Sequence, residues 1–187
     1  MPSTVPARRA VLGLIASFAA VPVVTTPASA KSAGEIEAGV TDTLQRFYRE
    51  VPSGYELEGR AAAVLVFPTI VKAGFGVGGE YGEGALRIRG RTTQYYNSIS
   101  ASIGFQLGAQ ARSVIIMFMT PEALRGFQRK AGWKVGVDGS VTLINVGAGG
   151  AVDTNTITSP VIGFILDQKG LMYNLTLEGS KISKIRR

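Results

Sequence analysis

Residues 73–84 read AGFGVGGEYGEG, and six of the twelve are glycine. Gly74, Gly76 and Gly79 satisfy G-x-G-x-x-G, the spacing of a loop that cradles dinucleotide phosphates. That fingerprint needs a helix opening at the glycines, so that its N-terminus meets the pyrophosphate. Here the chain continues Glu80-Tyr81-Gly82-Glu83-Gly84-Ala85-Leu86-Arg87, which reads as strand and turn. Glu80 and Glu83 would also set negative charge beside a phosphate. A kinase-type glycine loop lies between strands, but its H-R-D partner needs histidine, and the chain has none. Alternation decides the matter: Ala73, Phe75, Val77 and Tyr81 point one way, and Gly74, Gly76 and Gly78 the other. The stretch is a strand with one bare face, which permits tight curvature or close approach of another backbone. Gly82 and Gly84 suit the turn expected after it.

The same texture returns along the chain. Ile103, Phe105, Leu107, Ala109 and Ala111 alternate with Gly104, Gln106, Gly108 and Gln110. Trp133, Val135 and Val137 alternate with Lys134, Gly136 and Asp138, and residues 141–152 are again apolar and glycine-rich. Val64-Leu65-Val66-Phe67-Pro68 reads as a buried strand stopped by proline, and residues 114–119 are wholly apolar. Two late strands, 159–166 and 171–177, are expected with a hairpin turn at Asp167-Gln168-Lys169-Gly170. Residues 180–187 close the chain as a basic strand or tail.

Helical periodicity appears in three places. Ile36, Val40, Leu44, Phe47 and Val51 line one face of a helix, with Ser32 and Glu35 as a capping box and Pro52 ending it. This helix either docks on the domain or dips into a membrane interface, and acids on its polar face weigh against the second reading. A shorter helix is expected over residues 54–62, with Ser53 and Glu56 as another capping box. Thr120-Pro121-Glu122 opens a third, with Thr as N-cap and Pro in the first turn. Leu124 and Phe127 form its apolar side, and Gly132 is its expected terminator. The fold class is therefore α+β: a strongly curved antiparallel β-sheet or partial barrel with glycine-rich strands, an N-terminal helix and a mid-chain helix.

The chain has 187 residues, which points to one domain. Its start reads as a removable signal peptide over residues 1–30. Arg8 and Arg9 precede an apolar, acid-free run, and Ala28-Ser29-Ala30 offers a cleavage site before Lys31. The arginine pair also fits twin-arginine export, although Val11 and Gly13 stand where such signals carry Phe and Lys. Residues 31–187 then hold 18 basic side chains against 13 acidic ones, a net +5. That balance permits anionic partners. The absence of cysteine and histidine removes disulfides, lipoprotein acylation, histidine metal sites and the Ser-His-Asp and Cys-His nucleophile systems.

Other motifs carry less. Asp153-Thr154-Asn155 lacks the later ligands of a calcium loop and reads as a turn. Glu80, Glu83, Asp138, Asp153, Asp167 and Glu178 are the acids available for paired-carboxylate chemistry, which needs two of them within about 10 Å in one cleft. Arg87, Arg89 and Arg91, at i, i+2 and i+4, are expected on one face of a strand. Lys72, Lys134 and Lys169, with Lys181, Lys184, Arg186 and Arg187, supply further positive charge. Aromatic side chains do not interleave with these bases as a nucleic-acid platform would require.

With those residues in view, the chain resembles the SYLF domain family, also found in yeast actin-organising proteins. The resemblance is sharpest in Val64-Leu65-Val66-Phe67-Pro68, Lys72-Ala73-Gly74-Phe75-Gly76, Gly78, Tyr81-Gly82 and Gly84. Gly104-Phe105-Gln106-Leu107-Gly108-Ala109-Gln110 and Lys169-Gly170-Leu171 support it. Two features depart from it: Tyr95-Tyr96-Asn97-Ser98 stands where the family carries Trp followed by Pro, and the cleavage site lacks a lipoprotein cysteine. The resemblance implies binding to anionic phospholipid, no catalysis, no cofactor and no metal. It implies Lys72, which matches the motif, as the first head-group contact; Arg87, Arg89, Arg91, Lys134 and Lys169 are further candidates by their charge alone. Gly74, Gly76, Gly78, Tyr81, Gly82 and Gly84 would be structural. The expectation is an exported, periplasmic or extracellular module, peripheral at a membrane, for which neither actin nor nucleic acid is an expected partner. The alternative is a structural or assembly protein of the cell envelope whose glycine-rich strands pack or oligomerise.

Overall fold

A computed structural model describes residues 30–146, 158–169, 177 and 179–187, with backbone alone at 74–77, 102–109 and 167–169. The chain divides into two compact units, Met1–Ala30 and Lys31–Arg187, and the second holds every element below. The signal peptide, the turn at Asp153-Thr154-Asn155 and residues 171–176 of the late strand lie outside the described residues, as do residues 147–152.

Two long strands, β1 (Ala63–Ile88) and β2 (Arg91–Phe118), form an antiparallel ribbon from Ala63 opposite Phe118 to Ile88 opposite Arg91. Arg89 and Gly90 join them with φ of 51° and 74°. Two successive positive φ values give a turn whose twist matches that of paired strands. Arg87 and Arg91 therefore stand on different strands, and the expected arginine face does not form. Around the ribbon lie α1 (Ala33–Glu50), α2 (Gly54–Arg60), α3 (Pro121–Arg129), β3 (Gly132–Lys134), β4 (Thr142–Asn145), β5 (Val161–Lys169) and β6 (Lys181–Ile185). Strand β2 pairs antiparallel with β1, β5 and β6, and β6 carries β3. The sheet curls into a half-barrel, the α+β architecture expected. It is mixed rather than wholly antiparallel, because β4 runs parallel to β5. The long connection between those two strands gives the crossover that a parallel pair requires.

The ends of α1 and α3 follow their local signals. Ser32 Oγ accepts the Glu35 N–H at 3.3 Å, and the Glu35 carboxylate accepts the Ser32 N–H at 2.7 Å. Thr120 Oγ1 accepts the Ala123 N–H at 3.2 Å. Ser53, by contrast, makes no capping bond with its side chain. Gly132 does not terminate α3, whose C-cap is Lys130; it opens β3, where the stem of Lys181 occupies the space a Cβ would need. Residues 167–169 continue β5 instead of turning, with Lys169 opposite Ala111. Val137 is exposed in a turn after β3, where Gly136 takes φ 83° and the Asp138 carboxylate accepts the Lys134 N–H.

Pro68 does not stop its strand. The register skips between Phe67 and Ile70, so the missing N–H falls at a bulge. Ser113 Oγ donates to the Pro68 carbonyl at 2.8 Å, and Gly39 lets α1 pass closely over the proline ring.

Both faces of this part of the sheet are buried, which is why residues 64–67 and 114–118 read as unbroken apolar runs. On the outer face, Ile36, Val40, Leu44 and Phe47 of α1 pack against Val64, Val66, Ala85, Ile115, Met117 and Phe164. The apolar stripe of α1 is thus spent on the domain. On the inner face, Leu65, Phe67, Leu86, Tyr96, Val114, Ile116 and Phe118 enclose Phe127 and Trp133.

The glycine stretch shapes the ribbon. A Cβ on Gly84 would collide with the Val66 carbonyl, and one on Gly82 would stand 2.8 Å from the Thr69 carbonyl. Residues 82–84 therefore lie against residues 66–70 of the same strand. Gly82 and Gly84 belong to this strand rather than to a turn, and they permit the close backbone approach. Between Ile70 and Gly82 the ribbon therefore bends back on itself.

Candidate functional site

The bend has two unlike sides. On its inner side Glu80 sits between Arg112 Nη2, at 2.7 Å, and Lys72 Nζ, at 3.5 Å. Only 4% of the Arg112 side chain and 12% of the Lys72 side chain are exposed. Two bases share one acid, and Arg112 Nε is buried without a hydrogen-bond partner. A carboxylate this buried requires such pairing, because desolvating an unpaired charge is costly. Gln110, opposite Lys72, and Ser98, opposite Gly82, are also buried.

On the outer side the exposed positions are apolar or small. Val71 and Tyr81 are each 45% exposed and Ile99 48%, and Ala73, Gly79 and Ala101 are exposed with them. Register carries this face across four strands: Tyr81 lies opposite Ile99, Ile99 opposite Lys181, and Lys181 opposite Lys134. Lys134 and Lys181 are exposed, and neither forms an ion pair among the described residues.

Beside that row the two ends of the domain close over Glu83. Its buried carboxylate accepts the Arg187 guanidinium, the Tyr81 hydroxyl at 2.5 Å and the Lys31 backbone N–H at 3.2 Å. Burial alone would raise the Glu83 pKa. The hydrogen bonds of Tyr81 and Arg187, with the Arg187 charge, outweigh it and hold the carboxyl below its ordinary value.

Arg87 is fastened to α1, at 3.0 Å from both Glu37 Oε2 and Thr41 Oγ1. With Arg89, Gly90, Tyr55 and Glu58 it lines a cleft of about 400 Å³. Burial raises the Glu58 pKa, opposed by the Arg87 charge. The acid beside Arg87 makes this cleft a poor anion site. Arg91 is exposed just past the turn, and Lys169 ends β5 with its side chain outside the described atoms.

The sequence-derived bases thus fall into separate places: Lys72 inside the bend, Arg87 and Arg89 at the cleft, and Lys134 on the outer row. Arg112, Glu80 and Ile99 complete these groups and were not singled out for them, while Lys181, named among the terminal bases, joins Lys134. The parity of Lys72, Glu80, Gln110 and Arg112 along their strands was the available signal. For paired-carboxylate chemistry, Glu80 and Glu83 face opposite sides of the sheet and each is held by bases. Among the described residues no group of acids is placed to hold a metal ion, and no helix is long and apolar enough to cross a membrane.

Residues 99–186 match the Ysc84 family, described as Las17-binding protein actin regulator. This is the SYLF family that the glycine motif resembles. No curated protein matches the sequence.

Proposed function

We propose that this SYLF-family chain is an exported, non-catalytic module that binds anionic phospholipid head groups at a membrane surface. The SYLF family is one of lipid-binding and actin-regulating domains, and an exported chain does not meet actin. The observation that carries the reading is the lysine pair of the outer row. Lys134 and Lys181 are register partners, both exposed, and among the described residues neither has an acid at ion-pair distance, although the Asp138 charge acts on Lys134. Each base near an anionic bilayer contributes about 1 kcal/mol, so an adjacent pair backed by a net basic domain gives salt-sensitive attachment.

Co-sedimentation of the purified protein with vesicles tests this. Pelleting is expected with phosphatidylglycerol in phosphatidylcholine at low salt, and not with phosphatidylcholine alone. Equal or absent binding to both overturns the reading. Lys134→Gln with Lys181→Gln is expected to weaken pelleting without changing the melting temperature. Sequencing the exported protein from its N-terminus checks the cleavage, with Lys31 expected first.

A further inference from the structure

We infer that the outer, convex face of the bent ribbon enters the bilayer interface and is the docking element of this module. The inference rests on the lipid-binding reading and adds to it a surface, an orientation and an apolar contribution.

Five large apolar side chains are exposed among the described residues, and three of them, Val71, Tyr81 and Ile99, lie on this face. Tyr81 and Ile99 are register partners and so form one surface, while Val71 lies on the outer side of the other limb. Contiguous exposed apolar surface of this kind marks a binding face.

The polarity of the ribbon is also inverted. A sheet with one wet face carries polar residues outward and apolar residues inward. Here the exposed positions are Val71, Ala73, Tyr81, Ile99 and Ala101, and the covered ones include Lys72, Glu80, Ser98, Gln110 and Arg112. Apolar outside and polar inside is the pattern of strands that meet lipid.

Charge selects an anionic bilayer as the occupant. Lys181 is next to Ile99 across the sheet, and Lys134 is next beyond it. Apolar side chains reaching the acyl boundary would leave these ammonium groups at the level of the phosphates, with their stems along the apolar surface. Tyr81 has the matching form, an exposed ring whose hydroxyl is tied to Glu83. The same face set against its own image in a second copy would bring lysine pairs toward one another.

The test is a tryptophan placed at position 99. Ile99→Trp in the full chain is expected to be quenched by phosphatidylglycerol vesicles carrying bromine on the acyl chains. Tyr55→Trp, on α2, is expected to be unaffected, and buried Trp133 gives a constant background. Ile99→Ser is expected to lower vesicle affinity about tenfold with unchanged melting temperature. Vesicle binding without quenching at position 99, or with full affinity in Ile99→Ser, overturns the inference and leaves the head-group reading standing. Failure to bind any vesicle overturns both. A dimer that Ile99→Ser converts to monomer assigns the face to a second copy and overturns it too.

Discussion

Lys72 Nζ stands 3.5 Å from Glu80 Oε1, on the same strand eight residues away. A straight strand would hold those positions about 26 Å apart. The ion pair therefore closes the inner side of the bend, and Gly74, Gly76 and Gly78 lie in the strand between its partners.

Removing the acid of this cluster should be more damaging than removing its lysine. Glu80→Gln leaves Arg112 and Lys72 buried without a carboxylate and is expected to cost about 3 kcal/mol in urea unfolding. Lys72→Met keeps the Arg112–Glu80 pair and should cost clearly less. The lysine variant also measures Lys72 as a head-group contact, since vesicle affinity falls only if it is one. Equal losses of stability in the two variants would show that the acid is not the keystone.

Two glycine-to-alanine changes should have opposite signs. Gly84→Ala drives a methyl into the Val66 carbonyl and is expected to destabilise by about 3 kcal/mol. Gly126→Ala, inside α3 with no atom within 4 Å of the added methyl, is expected to stabilise by about 1 kcal/mol. Thermal unfolding of both variants checks the pair.

The Glu83 clasp sets an acid limit. Its folded pKa is depressed, so its contribution is fully present above the ordinary glutamate value and is lost as pH falls through the folded one. Glu37, held by Arg87 and Tyr95, has the same sign, because those interactions outweigh its burial. Unfolding free energy should therefore decline below the ordinary glutamate value, about pH 4.3, and Glu83→Gln should flatten that decline. An unchanged slope in the variant would remove Glu83 from the account.

Tyr96 packs against Phe127 with ring centroids 4.9 Å apart, and burial pushes its phenol up to about 12. Its hydroxyl is buried without a hydrogen-bond partner. Tyr96→Phe is therefore expected to be neutral or to stabilise by about 1 kcal/mol. In the parent protein this phenol should resist ionisation until the domain unfolds, as ultraviolet titration would report.

Much of the fold was legible because its signals are local. Ser32 with Glu35 and Thr120 with Pro121 place two helix starts, and the spacing from Ile36 to Phe47 names the stripe that packs on the sheet. The alternation in AGFGVGGEYGEG excludes a phosphate loop without reference to any other part of the chain. The misreadings share a cause. Pro68, the segment from Asp167 to Lys169, and the glycines at positions 82, 84 and 132 all carry turn or terminator signals. Each is overruled by what a distant segment places beside it: Ser113 on the Pro68 carbonyl, Ala111 opposite Lys169, Val66 against Gly84, Lys181 over Gly132.

What the sequence determined by itself is the capped starts of α1 and α3, the bare face of the glycine strand and the exclusion of histidine and cysteine chemistry, since composition and periodicity need no partner. Only the tertiary structure decided where the charges go. One strand pairs along its length with another and folds back against itself, so side chains far apart in number become neighbours. That geometry buries Lys72 against Glu80, ties Arg87 to α1, and leaves Tyr81, Ile99, Lys181 and Lys134 in one exposed row.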